Sequence, residues 1–228
     1  MTLEVRDILM QADRIFVRDS LWEVCQQLSK HGKRVLSFQP LYQTGIPLDT
    51  LYDFMANILI ESCLRYGPAV YALPGNPFVF EYSAAMLLNK ARQAGLSVKV
   101  IEGMSCLDTI FCTYQLDPGG GMQILNYVDW HRHGRLDPEM PALIFQVGAP
   151  IEREFGQSGA GYFSNLQRLD HLLGQFFSRG HTVYLLTPSQ DDNQQNTVSG
   201  LIGSLPDKLQ HHLTLYSTLL VPPTRWFQ

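Results

Sequence analysis

A rigid loop of neutral backbone groups is the first feature of the sequence that could do chemistry. The segment Pro74–Pro77, with the sequence PGNP, interrupts a short apolar run, Ala69–Leu73, and good helix formers follow from Glu81. The two prolines lack backbone N–H donors and end the strand, and Gly75 allows a positive φ or a close approach of a ligand. A strand, a tight loop and a helix in this order place backbone groups at the carboxyl edge of an α/β sheet, where ligands bind. We therefore predict a ligand-binding loop, with a tight turn that binds nothing as the alternative.

A second glycine turn repeats this pattern further along the chain. The segment Glu102–Ser105, with the sequence EGMS, follows a predicted strand over Ser97–Ile101 and precedes a predicted helix over Leu107–Tyr114. The two turns therefore share the order of strand, glycine turn and helix.

Ionisable residues give no sign of metal or redox chemistry. The four cysteines are scattered without a CxxC pair, and the seven histidines form no HExxH motif. We therefore predict no metal site, and reduced thiols point to a cytoplasmic location. A net charge of −4 and a pI near 5.9 argue against a nucleic-acid surface. No uninterrupted apolar stretch of about 18 residues predicts a membrane span.

The elements that position the two turns alternate along the first half of the chain. Apolar periodicity and Gly/Pro breaks predict helix Leu3–Ala12, strand Arg14–Val17, helix Ser20–His31, strand Arg34–Phe38, helix Asp49–Arg65, strand Ala69–Leu73, helix Glu81–Ala94, strand Ser97–Ile101 and helix Leu107–Tyr114. This alternation predicts a parallel sheet wrapped by helices.

The second half has more strands per helix, and the change falls after the glycine-rich stretch Asp117–Gly121. The pattern predicts strands Met122–Val128, Pro141–Val147, His181–Leu186, Thr197–Leu205 and Leu213–Val221, with a loop at Phe155–Gly161 and a helix at Asn165–Phe177. We therefore predict an α/β fold of two lobes, a parallel-sheet lobe over residues 1–120 and a mixed-sheet lobe over residues 121–228.

The order of these motifs resembles the tetrapyrrole methylase superfamily. The residues that carry the resemblance are the LPGNP loop, the EGMS turn, an IFQV strand and a closing STLLVPP strand, and together they span essentially the whole chain. The sequence looks most similar to the branch of the borosin peptide-backbone N-methyltransferases and the methylase-like domain attached to MazG proteins. The resemblance implies a methyltransferase that uses S-adenosylmethionine. It also implies that this cofactor is folded into the cleft between two α/β lobes.

Cofactor-binding residues are implied by the same resemblance. They are Gly75, Asn76 and Val79 at the PGNP loop, Ser105 and Cys106 beside the methionine end, and Gln146, Ser217 and Thr218 at the adenosine end. Neutral amides and hydroxyls suit an adenine edge, and a sulfonium needs no dedicated anion. The alternative for Gln146 is a buried amide that serves its neighbours, and Ser217 and Thr218 have the alternative of ordinary strand residues.

The resemblance implies two catalytic residues on the acceptor side, but one expected residue has no match. Borosin-type enzymes carry a Tyr, then an Arg and a Tyr on the next helix, and Tyr42 and Tyr52 match the two Tyr positions. The Arg position falls near Leu48, yet no arginine occurs between Arg34 and Arg65. An amide is a very weak acid, and its deprotonation needs a nearby cation. The alternative for both tyrosines is half-buried packing.

The superfamily also opens with a strand and a glycine loop ahead of the helix that Met1–Asp7 occupies here, so the resemblance implies that both are missing. The expected function is a methyltransferase that acts on a small-molecule or peptide acceptor, in a chain that forms a homodimer. In-line methyl transfer depends mainly on positioning. The alternative is a catalytically impaired methylase-like domain that binds or regulates. A phosphate-binding Rossmann enzyme is disfavoured because the chain has no GxGxxG and no Walker lysine loop.

Overall fold

The computed structural model describes residues 1–18, 22–149, 160–188 and 195–225 of the chain. Contacts divide the chain into two units, Met1–Tyr114 and Gln115–Gln228. Most of the predicted loop at Phe155–Gly161 lies outside the described residues.

The first unit contains a parallel sheet of three strands in the order β2-β1-β3. Its elements are α1 (Leu3–Gln11), β1 (Arg14–Val17), α2 (Trp22–Lys30), β2 (Arg34–Ser37), a 3-10 helix (Gln39–Gln43), α3 (Leu48–Tyr66), β3 (Val70–Ala72), α4 (Tyr82–Gln93) and α5 (Cys106–Tyr114). The predicted parallel sheet is confirmed.

The central strand β1 anchors the first unit because both of its faces are covered. Ile15 and Val17 pack with Leu9 and Leu28 on one face. Phe16 packs on the other face against the apolar stripe of α3, formed by Leu51, Met55 and Leu59. The alternation of side chains in a strand explains why neighbouring residues of β1 serve two different clusters.

The predicted strand at Ser97–Ile101 is wrong. These residues have no regular secondary structure, and the sheet of the first unit ends at β3. Val98 and Val100 are 43% and 41% exposed. Alternating valines specify a strand only where a neighbouring strand supplies ladder hydrogen bonds and a covered face. Within the described residues, no neighbour does so here.

The second unit contains a five-stranded sheet in the order β4-β5-β8-β6-β7. Its elements are β4 (Gln123–Asn126), α6 (Tyr127–Trp130), β5 (Ala142–Phe145), α7 (Ala160–Leu173), β6 (Thr182–Pro188), β7 (Gln195–Leu201), α8 (Leu205–Leu209) and β8 (Thr218–Val221). β4 pairs with β5 in parallel, and the other pairs are antiparallel, so the predicted mixed sheet is confirmed.

Four strands of this unit are shorter than predicted, and the predicted strand Leu213–Val221 is reduced to Thr218–Val221. The predicted strand Met122–Val128 stops at Asn126, because the Asn126 side chain accepts a hydrogen bond from the Val128 N–H and begins α6. The buried side chains of Tyr127 and Trp130 then join the core of the unit.

In the described ranges, no helix is both long and apolar enough to cross a membrane.

Candidate functional site

The carboxyl ends of the three parallel strands of the first unit gather polar side chains. Arg18 follows β1 directly, and its N–H donates to the Ala72 carbonyl at 3.1 Å. The Phe38 N–H donates to the Val17 carbonyl at 2.9 Å, which holds the segment after β2 against the end of β1. This is the edge at which parallel α/β sheets bind ligands.

A buried hydrogen-bonded chain runs from Arg18 to Tyr71. The Arg18 guanidinium lies 2.6 Å from Glu81 Oε2, and the two side chains are only 14% and 4% exposed. Glu81 Oε1 accepts from the N–H and the hydroxyl of Ser83 at the start of α4. The Ser83 hydroxyl lies 2.9 Å from the Tyr71 hydroxyl. Both carboxylate oxygens are therefore engaged, as a buried charge requires.

The predicted pair Tyr42 and Tyr52 lies beside this chain. Their rings meet edge to face with centroids 6.4 Å apart. Burial raises the pKa of Tyr42, Tyr52 adds to the rise, and the Arg18 charge opposes it. Burial likewise raises the pKa of Tyr71. Both groups are neutral phenols at neutral pH.

Arg18 lies beside this cluster, whose expected arginine position near Leu48 carries no arginine, and sequence reasoning missed it. The available signal was a charged residue immediately after a short apolar strand, at the edge where ligands bind. Its partner Glu81 is distant in sequence, so no spacing pattern joins the two residues.

The PGNP loop and the EGMS turn are in direct backbone contact. A Cβ atom built on Gly103 would overlap the Gly75 carbonyl oxygen, and one built on Gly75 would lie 3.4 Å from the Met104 carbonyl oxygen. Gly75 has a φ of +79°, a conformation that favours glycine. The structure therefore brings the two predicted turns together, and each needs its glycine.

The remaining loop residues are ordered by local hydrogen bonds. Asn76 Oδ1 accepts from the Phe78 N–H at 2.9 Å, and the Asn76 carbonyl accepts from the Val79 N–H at 3.2 Å. An asparagine that bonds to the backbone two residues ahead is a common turn device. The turn holds Asn76 and Val79 close to Gly75, and contact of these residues with a cofactor stays a prediction.

Ser105 and Cys106 begin α5. The Ser105 hydroxyl accepts from the Leu107 N–H at 3.1 Å, and Asp108 accepts from the Ser105 N–H at 2.6 Å. Ser105 thus caps the start of α5, and the Asp108 side chain reaches back to its N–H as in a capping box. Cys106 as a whole is exposed, yet desolvation raises the pKa of its thiol, so the thiol is protonated at neutral pH.

In the second unit, Gln146 follows β5 in a strained conformation with a φ of +58°. Its Oε1 accepts from Asn126 Nδ2 at 3.0 Å. Asn126 ends the neighbouring parallel strand β4, so both amides lie at the carboxyl edge of the second sheet. A non-glycine residue with positive φ persists only where its surroundings hold it, and such residues cluster at functional sites.

Ser217 braces the Gln146 loop. Its carbonyl accepts from the Val147 N–H at 3.1 Å, and its hydroxyl accepts from the Thr214 N–H at 2.9 Å. The same hydroxyl lies 3.0 Å from the Thr187 hydroxyl, and Ser217 is fully buried. Thr218 follows as the first residue of β8 and is 4% exposed. The structure thus brings Gln146 and Ser217 together, but direct contact of Ser217 with a cofactor stays a prediction.

Asn165 on α7 holds the other side of this loop, and sequence reasoning missed it. Its Nδ2 donates to the Val147 carbonyl at 3.2 Å and to the Ala149 carbonyl at 2.8 Å, and the residue is 4% exposed. A Cβ atom on Gly148 would overlap the Thr214 carbonyl oxygen, so the loop also packs tightly against the segment before β8. An asparagine in a helical pattern gives no signal of such a role.

The polar groups described above are neutral amides, hydroxyls and peptide groups, apart from the paired Arg18 and Glu81, the Asp108 carboxylate and the Cys106 thiol. Across the part of the chain that the structure describes, no three His, Cys, Asp or Glu side chains gather into a metal site.

Comparison with known proteins identifies the class. The family described as Tetrapyrrole (Corrin/Porphyrin) Methylases matches residues 1–146, more than half of the chain. The chain therefore belongs to this family, as the motifs indicated.

Similar proteins also support the borosin branch. The chain is 24% identical over 230 residues to a methyltransferase/ribosomally synthesized type III borosin cyclic peptide precursor of Anomoporia bombycina, covering 97% of this chain and 26% of that protein. A type I precursor of Cerrena unicolor is 24% identical over 247 residues, with 97% and 55% covered. The uncharacterized protein YabN of Bacillus subtilis (strain 168) is 32% identical over 126 residues, with 55% and 26% covered. The chain thus spans about a quarter to a half of these relatives.

Solved structures share the fold. The methyltransferase CobJ aligns with a TM-score of 0.68 at 15% identity, covering 100% of this chain and 91% of that chain. Uroporphyrin-III-C-methyltransferase from Thermus thermophilus aligns with a TM-score of 0.63 at 17% identity, covering 97% and 85%.

Proposed function

We propose that the chain is a methyltransferase that takes its methyl group from S-adenosylmethionine. The observation that carries the proposal is the backbone contact between the PGNP loop and the EGMS turn, in which Gly103 leaves no room for a Cβ atom beside the Gly75 carbonyl. Membership of the tetrapyrrole methylase family supports it.

The residues fit the cofactor by the chemistry of their donors. S-adenosylmethionine supplies a methyl group on a sulfonium, and its adenosine end offers uncharged nitrogen and hydroxyl groups. In our proposal, the methionine end contacts Gly75, Asn76, Val79, Ser105 and Cys106, and the adenosine end contacts Gln146, Ser217 and Thr218. Neutral peptide and amide groups match that ligand better than they match a phosphate, which attracts cations and helix N-termini.

The acceptor subsite in this proposal is the cluster of Tyr42 and Tyr52, with Arg18 as the cation. Because Glu81 balances the charge of Arg18, the cluster is close to neutral and suits an uncharged acceptor such as a peptide amide. The borosin precursors of Anomoporia bombycina and Cerrena unicolor support a peptide acceptor. A small-molecule acceptor is the alternative. Free thiols at all four cysteines fit a cytoplasmic location.

A second candidate is a methylase-like domain that binds the cofactor without turnover. The raised pKa of Tyr42 favours it, because a neutral phenol is a poor base at neutral pH. In this reading, the tyrosine cluster binds a ligand and does not remove a proton from it.

Calorimetric titration of the purified chain with S-adenosylhomocysteine tests the proposal. We expect one site per chain. An absence of heat at millimolar ligand, on a sample shown to be folded, would contradict both candidates. Transfer of a radioactive methyl group to a synthetic peptide library or to a tetrapyrrole then separates the two candidates. Binding of S-adenosylhomocysteine without transfer to any of these acceptors favours the domain without turnover.

A further inference from the structure

The hydrogen-bond network fixes which way the Asn126 amide points. Its side-chain oxygen accepts from the Val128 N–H at 3.0 Å. A backbone N–H can only donate, so the atom that faces it must be the oxygen. The Asn126 Nδ2 group therefore faces Gln146 as a donor.

This orientation determines that of Gln146 in turn. Asn126 Nδ2 donates at 3.0 Å, so the Gln146 atom that receives it is Oε1. The Gln146 NH₂ group then points away from Asn126 and, with no acceptor among the residues that the structure describes, can donate to a ligand. Hydrogen bonds from Asn165 and to Ser217 hold the next residue, Val147, from two sides and oppose a shift of the backbone.

We propose that Asn126 is a positioning residue that sets the ligand selectivity of Gln146. Because Asn126 occupies the Gln146 oxygen, Gln146 presents its NH₂ group to the ligand. This group favours a base whose facing ring atom is an unprotonated nitrogen, which can accept the hydrogen bond. A carbon bearing hydrogen at the same ring position is disfavoured. The inference rests on the proposed function, since it takes Gln146 to face the adenine.

Exchanging one atom of Asn126 should invert this selectivity. Asn126→Asp keeps the oxygen that caps α6 and replaces the donor with a second carboxylate oxygen. The Gln146 NH₂ group then turns to that carboxylate in a charge-assisted hydrogen bond. The Gln146 oxygen then turns to the ligand, where it is repelled by the lone pair of the ring nitrogen.

The experiment compares S-adenosylhomocysteine with its 1-deaza, 3-deaza and 7-deaza analogues by calorimetry. We expect the wild-type chain to lose at least tenfold in affinity for one analogue. Asn126→Asp should lose at least tenfold in affinity for S-adenosylhomocysteine. It should bind the analogue that the wild type disfavours more tightly than it binds S-adenosylhomocysteine. Asn126→Ser, which keeps a capping oxygen but leaves the Gln146 amide free to turn, should lose only about two- to threefold.

Three other outcomes are decisive. If the wild-type chain binds S-adenosylhomocysteine but loses less than tenfold in affinity for every deaza analogue, the inference is overturned. If the wild-type chain does not bind S-adenosylhomocysteine, the proposed function fails and the inference fails with it. If it binds, and Asn126→Asp binds the parent ligand and every analogue as the wild type does, the inference is overturned and the function stands. Melting temperatures check that the variants fold, and Gln146→Glu, which also presents only acceptors, replaces Asn126→Asp if that variant is unfolded.

Discussion

At the scale of single residues, burial sets the chemistry of Tyr42. Its pKa is raised above the value near 10 that the unfolded chain shows, so the native state keeps the proton longer. The stability that this group contributes is therefore fully present below about pH 10. It is lost as the pH rises from there toward the folded-state pKa.

The free energy of unfolding tests this directly. Between pH 9 and pH 11, the wild type should lose at most about 1.4 kcal/mol more than Tyr42→Phe, because one phenol ionises only in the unfolded state. Urea titrations at each pH give the difference, with Tyr216→Phe at an exposed site as the control. A difference that does not change with pH would contradict the burial of the Tyr42 hydroxyl.

The buried pair of Arg18 and Glu81 gives a second prediction. Arg18→Met leaves the Glu81 carboxylate without its cation and should cost about 3–5 kcal/mol of stability. Adding Glu81→Gln removes the uncompensated charge, so the double variant should be more stable than Arg18→Met alone. Chemical denaturation of both variants measures this, and a loss below about 1 kcal/mol for Arg18→Met would contradict the pairing.

Single residues are also where the sequence was least informative. The two turns that contain Gly75 and Gly103 could be predicted, because glycine and proline mark turns in a sequence. Arg18, Asn126 and Asn165 could not, because each acts through a partner far away in the sequence. Only the folded sheet edges bring those partners within hydrogen-bonding distance.

At the scale of elements, the contact between the two glycine turns is the main constraint. Gly103→Ala should displace one turn, because its Cβ would overlap the Gly75 carbonyl oxygen, and should cost about 1–3 kcal/mol. Gly120→Ala is the control, since nothing lies within 4 Å of its Cβ position. Equal melting temperatures for the two variants would contradict the contact.

Strands and helices could be predicted wherever the local pattern agrees with the burial. The strand Arg14–Val17 was predicted to the residue, since a short apolar run between a helix end and a polar segment has one interpretation. The helix predicted at Asp49–Arg65 extends one residue further at each end, to Leu48 and Tyr66. The alternating valines of Ser97–Ile101 led to a wrong strand prediction, because a strand also needs neighbouring strands, which a local pattern does not reveal.

At the scale of the whole molecule, we predict a homodimer. Large apolar side chains of the first unit are exposed, with Leu36 on the edge strand β2 at 57% and Leu64 on α3 at 62%. Exposed apolar side chains on an edge strand and on a helix surface favour association with a second chain. Sedimentation velocity across micromolar concentrations should show a dimer, and a single monomer species throughout would contradict the prediction.

The affinity of Gly75→Val for S-adenosylhomocysteine tests the central claim, that the PGNP loop binds the cofactor. Gly32→Val is the matched control, because Gly32 has a φ of +73° against +79° for Gly75 but lies in the turn before β2. A β-branched residue is strained at either position, so both variants should lose about 1–3 kcal/mol of stability. We predict that only Gly75→Val loses affinity, by at least tenfold or about 1.4 kcal/mol. Wild-type affinity in Gly75→Val, alongside a lowered melting temperature, would contradict the account and leave the loop as a structural turn.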